Sequence, residues 1–389
     1  MFGIRRLNGD VTMSTLDELI RYCNEETYRG ALLLTGEMGC GKTYLIQEEL
    51  AEALRSTHFV VRVSLFGVNS IKELTDEIRK QWLFICTPFL GKLKQRREHM
   101  EKNYGFISAI SSVLQSLNTT AGNLASAAVS FDPLEYIPLE PEVEDFHNGG
   151  EKKRVVLVFD DLDRTSLSMI DIVGHINGFC ENKKFRTIII ANEKLILAKL
   201  HDGSPESSIM DYRLIKEKTV ARTVLYLPDY ERIIHDIVFR ESWQSREYAD
   251  FLTENIPAIH ELFAEEPSLQ AGKLEKHHNF RSLLCALQEF YRVYEVLAEN
   301  QVRDINRYLY SFIAYMLISK NGIYKDGVTS FEVSEEEIRQ LYVKYSSELM
   351  PDCIRKWVEY GIWDEAAITE YIRKRNPAFR KKANKANNR

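Results

Sequence analysis

Apolar and polar positions follow two regimes along this chain. Up to about residue 228, short apolar runs at 31–35, 58–66, 154–159 and 187–191 alternate with stretches of helical spacing. Runs that are apolar at nearly every position predict strands covered on both faces of a parallel sheet. Residues 14–26 place a Ser or Thr cap ahead of apolar residues at helical intervals and predict a short amphipathic helix. The strand at 31–35, a helix over 43–54 and the strand at 58–66 then give the order of a βαβ unit. Residues 70–100 and 168–182 also read as helical. Beyond Pro228 the pattern is almost wholly helical to about residue 375.

Two stretches interrupt the first regime. From 104 to 131 there is no charged residue, and eleven positions are Ser, Thr, Asn or Gln. That polarity argues against a membrane span and for a helical hairpin of small residues packed on the domain or on another subunit. Residues 132–150 carry three prolines, an acidic run and Gly149-Gly150, and read as an internal linker. The expected organisation is a core over 1–228 with a helical insertion at about 70–150, then an α-helical domain over 229–375. A basic tail over 376–389 is expected to be disordered, because 373–389 hold eight Lys or Arg and no acid.

Composition narrows the function classes. The chain has 389 residues, 44% hydrophobic and 28% charged, with a net charge of −6. These values fit two globular domains and exclude a chain coated in positive charge. Six scattered cysteines with no CxxC pair read as reduced thiols, and the N-terminus lacks the apolar core of a signal peptide, so a cytoplasmic location is expected and a membrane partner is not. No HExxH accompanies the adjacent His277 and His278, and no GxSxG elbow is present.

The chemistry lies in two places. Gly36, Glu37, Met38, Gly39, Cys40, Gly41, Lys42 and Thr43 match G-x-x-x-x-G-K-[ST] between an apolar run and a helical one. Glycines let backbone N–H groups wrap a phosphate, and the helix N-terminus adds a favourable dipole. Lys42 is the residue to neutralise the β and γ phosphates, Thr43 to hold Mg²⁺, and Tyr44 completes the nucleotide-binding stretch. The run 155–159 ends in Asp160 and Asp161, acids that would emerge at the carboxyl end of a central strand beside that loop. Asp160 is expected to serve the metal and Asp161 to polarise the attacking water as general base. Asp163 and Arg164 extend the cluster. Two uses of Arg164 stay open: pairing with Asp161 or Asp163 in its own subunit, or reaching a neighbour's nucleotide, with a slight lean to the second. Asn192, after the run 187–191, is open between a turn-forming residue and one that orients water.

Gly36 to Thr43, the sequence DDLDR at 160–164 and EKTVARTVLYLP at 217–228 together resemble the KAP family of P-loop NTPases, within the AAA+/STAND-like group. The likeness spans residues 30 to about 230. It implies an α/β core, a central parallel sheet flanked by helices with an additional strand between loop and acid, followed by an α-helical lid or C-terminal domain. It also implies ATP with Mg²⁺, and Asn192 placed like the water-orienting residue of AAA+ enzymes. Asn279 to Leu287 looks like an N-x-R-x-L-x-x-A-L lid helix, which would make Arg281 a γ-phosphate sensor. Lys218 and Arg222 would line the nucleotide or a subunit interface. Relatives of this kind that are soluble and bacterial suggest anti-phage defence, with a homo-oligomer and a separate effector protein.

Three readings of function follow. The first is a Mg²⁺-dependent ATPase whose cycle drives oligomer assembly or partner activation. The second is a nucleotide-gated protein-binding module with slow hydrolysis. The third, motivated by the basic tail and Arg96-Arg97, is an ATPase stimulated by nucleic acid.

Overall fold

The computed structural model describes residues 5–7, 10–12, 14–25, 30–86, 139–145, 151–203, 206–264, 274–342 and 344–375. The uncharged segment 104–131, the tail 376–389 and the ends of the stretch 132–150 lie outside the described residues. The chain divides into two compact units, Met1–Gly36 with Lys42–Leu227, and Glu37–Gly41 with Pro228–Arg389.

The first unit is built on a six-stranded sheet of β1 (Ala31–Thr35), β2 (His58–Ser64), β3 (Glu142–Asp145), β4 (Glu151–Asp160), β5 (Arg186–Ala191) and β6 (Val220–Leu225). Five strands run parallel in the order β2-β4-β5-β1-β6, and β3 adds antiparallel to the start of β4. Leu32 stands opposite Ile188 and Val158 opposite the same Ile188, so β5 lies between the loop-bearing strand and the acid-bearing one. Both faces are covered, as the apolar runs require. Leu33, Val155, Leu157, Phe159 and Ile189 pack into one core with Leu74, Ile78, Ile172 and Ile176 of the helices Ile71–Cys86 and Met169–Glu181. The alternate positions Leu32, Leu34, Val156, Val158, Ile188 and Ile190 are equally buried on the other face. The helix Thr15–Asn24 is fastened to the sheet by Tyr22, whose hydroxyl donates to Gly30 O and Thr187 O, each at 2.9 Å.

Two elements depart from the sequence reading. Where a linker was expected, Glu142–Asp145 forms β3, because its acids face the basic start of β4: Glu142 pairs in register with Arg154 and Glu144 with Lys152. Asp145 and Lys153 form a buried ion pair at 2.7 Å. The second departure is β6, in a stretch read only as a motif. It lies at one end of the strand order, and its side chains alternate between half-buried and exposed, so it lacks the apolar run that marked the other strands.

The second unit packs the helices Tyr230–Arg240, Arg246–Ala264, Phe280–Glu299 and Ile305–Asn321 around one core that includes Tyr248, Leu283, Leu287, Phe290, Leu309 and Phe312. It is not wholly helical. Leu274–Glu275, Ile323–Lys325 and Val328–Ser330 form a small antiparallel sheet whose tight turn is made by Asp326 and Gly327, both at positive φ.

Candidate functional site

The loop after β1 leaves the sheet at Gly36, whose N–H donates to Ala191 O at 3.3 Å. Gly39 and Gly41 adopt φ of 74° and 96°, a left-handed backbone that favours glycine and turns successive N–H groups to one side. A Cβ on Gly39 would stand 2.1 Å from the Asn279 carboxamide oxygen, so that position has no room for a side chain. Phe280 N–H donates to Gly39 O at 2.9 Å. The helix then begins at Lys42 and widens into a π-helical stretch over Leu45–Leu50. Lys42 is buried, and its Nζ donates to Gly36 O at 2.7 Å, closing the loop on itself.

The acidic side is set by register. Ser64 pairs with Asp160 at the carboxyl ends of β2 and β4. Asp160 is 2% exposed. Its Oδ1 accepts from the Asp161 N–H at 2.8 Å, and its Oδ2 accepts from the Thr43 hydroxyl at 2.8 Å. A hydroxyl from the loop and a carboxylate oxygen from the strand thus meet, and hard oxygen donors of this kind suit magnesium. Asp161 is held at φ 60°, left-handed for a residue with a Cβ, at the start of a turn over Leu162–Arg164. Its Oδ2 accepts from Ser64 Oγ at 2.9 Å, and its Oδ1 lies 3.7 Å from Arg164 Nε. Of the two uses left open for Arg164, pairing with Asp161 in its own subunit is the one seen in this geometry.

The other candidates separate. Asn192 sits at the end of β5, but its Oδ1 accepts from Leu195 N–H at 3.3 Å and so caps the helix Glu193–Gly203, the turn-forming use. Its own N–H donates to Asp163 Oδ1 at 2.9 Å, which ties the acidic turn to β5. Arg222 stands opposite Leu32, three residues before the carboxyl end of β6, and its Nη1 pairs with Glu18 at 2.7 Å. The structure does not bring Arg222 together with Lys42 and Asp160. Arg281 is exposed in the first turn of Phe280–Glu299, where Asn279 caps its N–H. Glu37 and Tyr44 are half-buried, Cys40 is buried and Met38 is exposed.

Sequence reasoning missed Arg62 and Ser64. Arg62 Nε donates to Asp160 Oδ2 at 2.7 Å, and its Nη2 lies 3.9 Å from Asp161 Oδ2. The signal was present: an arginine inside a largely apolar strand needs an acidic partner, and Asp160 ends the neighbouring strand.

Residues 10–312 match the family described as the KAP family P-loop domain. No curated protein matches the sequence. Among solved structures, the crystal structure of Cdc6p from Pyrobaculum aerophilum is similar at a TM-score of 0.38 and 15% identity, over 88% of this chain and 78% of that one.

Proposed function

This chain belongs to the KAP family of P-loop NTPases, and from that premise we propose that it is a magnesium-dependent ATPase. The observation that carries the proposal is the 2.8 Å contact between Thr43 Oγ1 and Asp160 Oδ2, which joins the phosphate loop to the acidic strand end across β5. Backbone N–H groups of Gly36 to Thr43 would cradle the phosphates, and Lys42 would exchange its bond to Gly36 O for phosphate oxygens. Thr43 and Asp160 would hold the magnesium ion, which when bound supplies positive charge to the β and γ phosphates. Asp161 would take the proton of the attacking water through its carboxylate, with Ser64 and Arg164 fixing the side chain in place.

The finer reading, grounded in the family likeness and its link to anti-phage defence, is that turnover drives oligomer assembly or partner activation. Arg222, on the exposed edge of the sheet, would be the arginine that reaches a neighbouring subunit. Phosphate release measured across protein concentrations tests both levels. Turnover per subunit that rises with concentration and vanishes in Lys42→Ala supports the full reading. Slow turnover that stays flat, with ATP still bound, leaves a nucleotide-gated binding module. No phosphate release and no ATP binding removes the ATPase.

A further inference from the structure

Strand β2 reads HFVVRVS, and Arg62 is its single permanently charged residue. In register it lies beside Val158, two positions before the Ser64–Asp160 pair, so its side chain must reach along the sheet to meet the acids. It meets both. Nε donates to Asp160 Oδ2 at 2.7 Å and Nη2 lies 3.9 Å from Asp161 Oδ2. Each acid already has a neutral partner, Thr43 for Asp160 and Ser64 for Asp161. Arg164 Nε lies 3.7 Å from Asp161 Oδ1, so Asp161 has a second cation nearby, while Arg62 is the guanidinium that sits on Asp160. Asp160 Oδ2, the oxygen that meets the Thr43 hydroxyl, is also the one that carries the guanidinium. A divalent cation arriving between Thr43 and Asp160 would meet a like charge already bound to that oxygen.

We propose that Arg62 is a positioning residue that stands in for the divalent cation: it neutralises the Asp160–Asp161 pair while the cation is away, and yields Asp160 Oδ2 when the cation binds. The inference rests on the ATPase reading for the identity of the metal site. Two positive groups that compete for one carboxylate oxygen are coupled negatively, so removing one raises the affinity for the other.

The test uses the full chain, with Arg62→Gln to remove the charge while keeping a donor, and Arg62→Lys to keep the charge. Mn²⁺ affinity is read by electron paramagnetic resonance with ADP present, and the unfolding midpoint is read in EDTA and in Mn²⁺. Arg62→Gln is expected to bind Mn²⁺ about tenfold more tightly than the wild type. Its midpoint should fall in EDTA and recover in Mn²⁺, while Arg62→Lys stays near the wild type in both. Unchanged or weaker Mn²⁺ affinity in Arg62→Gln, or a midpoint deficit that Mn²⁺ does not repair, would make Arg62 a strand-to-strand tie only and overturn the proposal. Should Arg62→Gln fail to fold, the wild type still decides: the ¹⁵N resonance of Arg62 Nε should move when Mg²⁺ is added, and an unmoved signal contradicts the proposal. ADP binding measured with Mg²⁺ present tests the nucleotide reading by itself. Its absence would sink the ATPase while leaving competition at Asp160 to be judged by Mg²⁺ alone.

Discussion

Strands β4 and β6 belong to one sheet and differ in almost every respect that matters here. Strand β4 is central, its last six residues are buried, and it ends in an acid that meets the phosphate loop. Strand β6 is an edge strand, alternates between half-buried and exposed positions, and carries its arginine in mid-strand against Glu18. The difference shows how position in a parallel sheet divides labour. A strand covered on both faces has nowhere to put a charge except its end, so the charge appears where helices begin and phosphates bind. An edge strand tolerates charge along its length, as β6 does with Arg222 against Glu18.

The comparison breaks first at the acids. Asp161→Asn should lower phosphate release by about a hundredfold to ten-thousandfold, the range for loss of a general base, while ATP binding by calorimetry persists. Arg222→Ala assayed at dilute protein should leave turnover within about twofold, because its partner is Glu18 and its place is three residues from the strand end. Equal losses in the two variants would erase the distinction between strand end and strand middle.

Packing gives the next largest contrast. Phe159→Ala removes a fully buried ring and should cost about 3–5 kcal/mol in denaturant unfolding of the first unit. Leu225→Ala, at 58% exposure on β6, should change stability by no more than about 0.5 kcal/mol. A large effect at Leu225 would mean that the edge is covered by another chain in solution.

The smallest expected effect is a pH dependence that begins at the opposite end of the sheet from the acids. His58 opens β2, where its Nε2–H donates to Cys23 O at 3.2 Å and its Nδ1 accepts from the Thr57 hydroxyl at 2.8 Å. Burial, first of all, holds its pKa below the usual 6.5. A histidine kept neutral by the fold contributes stability that is fully present above its unfolded pKa and is lost as pH falls toward the folded one. The unfolding midpoint should therefore drop between about pH 7 and about pH 5, and His58→Gln should flatten that slope. An unaltered slope in the variant would assign the acid sensitivity to other groups.

Most of the sheet was legible in the sequence because covered strands announce themselves. The runs at 31–35, 58–66, 154–159 and 187–191 all became strands, trimmed or extended by a few residues at their ends. What stayed hidden had a physical reason in each case. Strand β3 is acidic and sits in a proline-rich stretch, and only its charge complement with Lys152 and Arg154 marks it as a partner. Strand β6 alternates in burial without alternating cleanly in polarity. At the site, the spacing of Gly36 to Thr43 and the acids after 155–159 named the residues that meet. It could not show that Arg62 reaches Asp160, which depends on strand register, and it left open the uses of Asn192 and Arg164, whose contacts with Leu195 and Asp161 lie three residues away but compete with other roles.

The most direct trial of the account is a calorimetric titration of ATP with Mg²⁺ into the wild-type chain and into Asp160→Asn. The account predicts one saturable site in the wild type, with a metal-dependent share of the affinity that disappears in the variant. Identical binding curves in the two proteins, or no heat in the wild type, would contradict the claim that Thr43 and Asp160 grip a nucleotide and its metal between them.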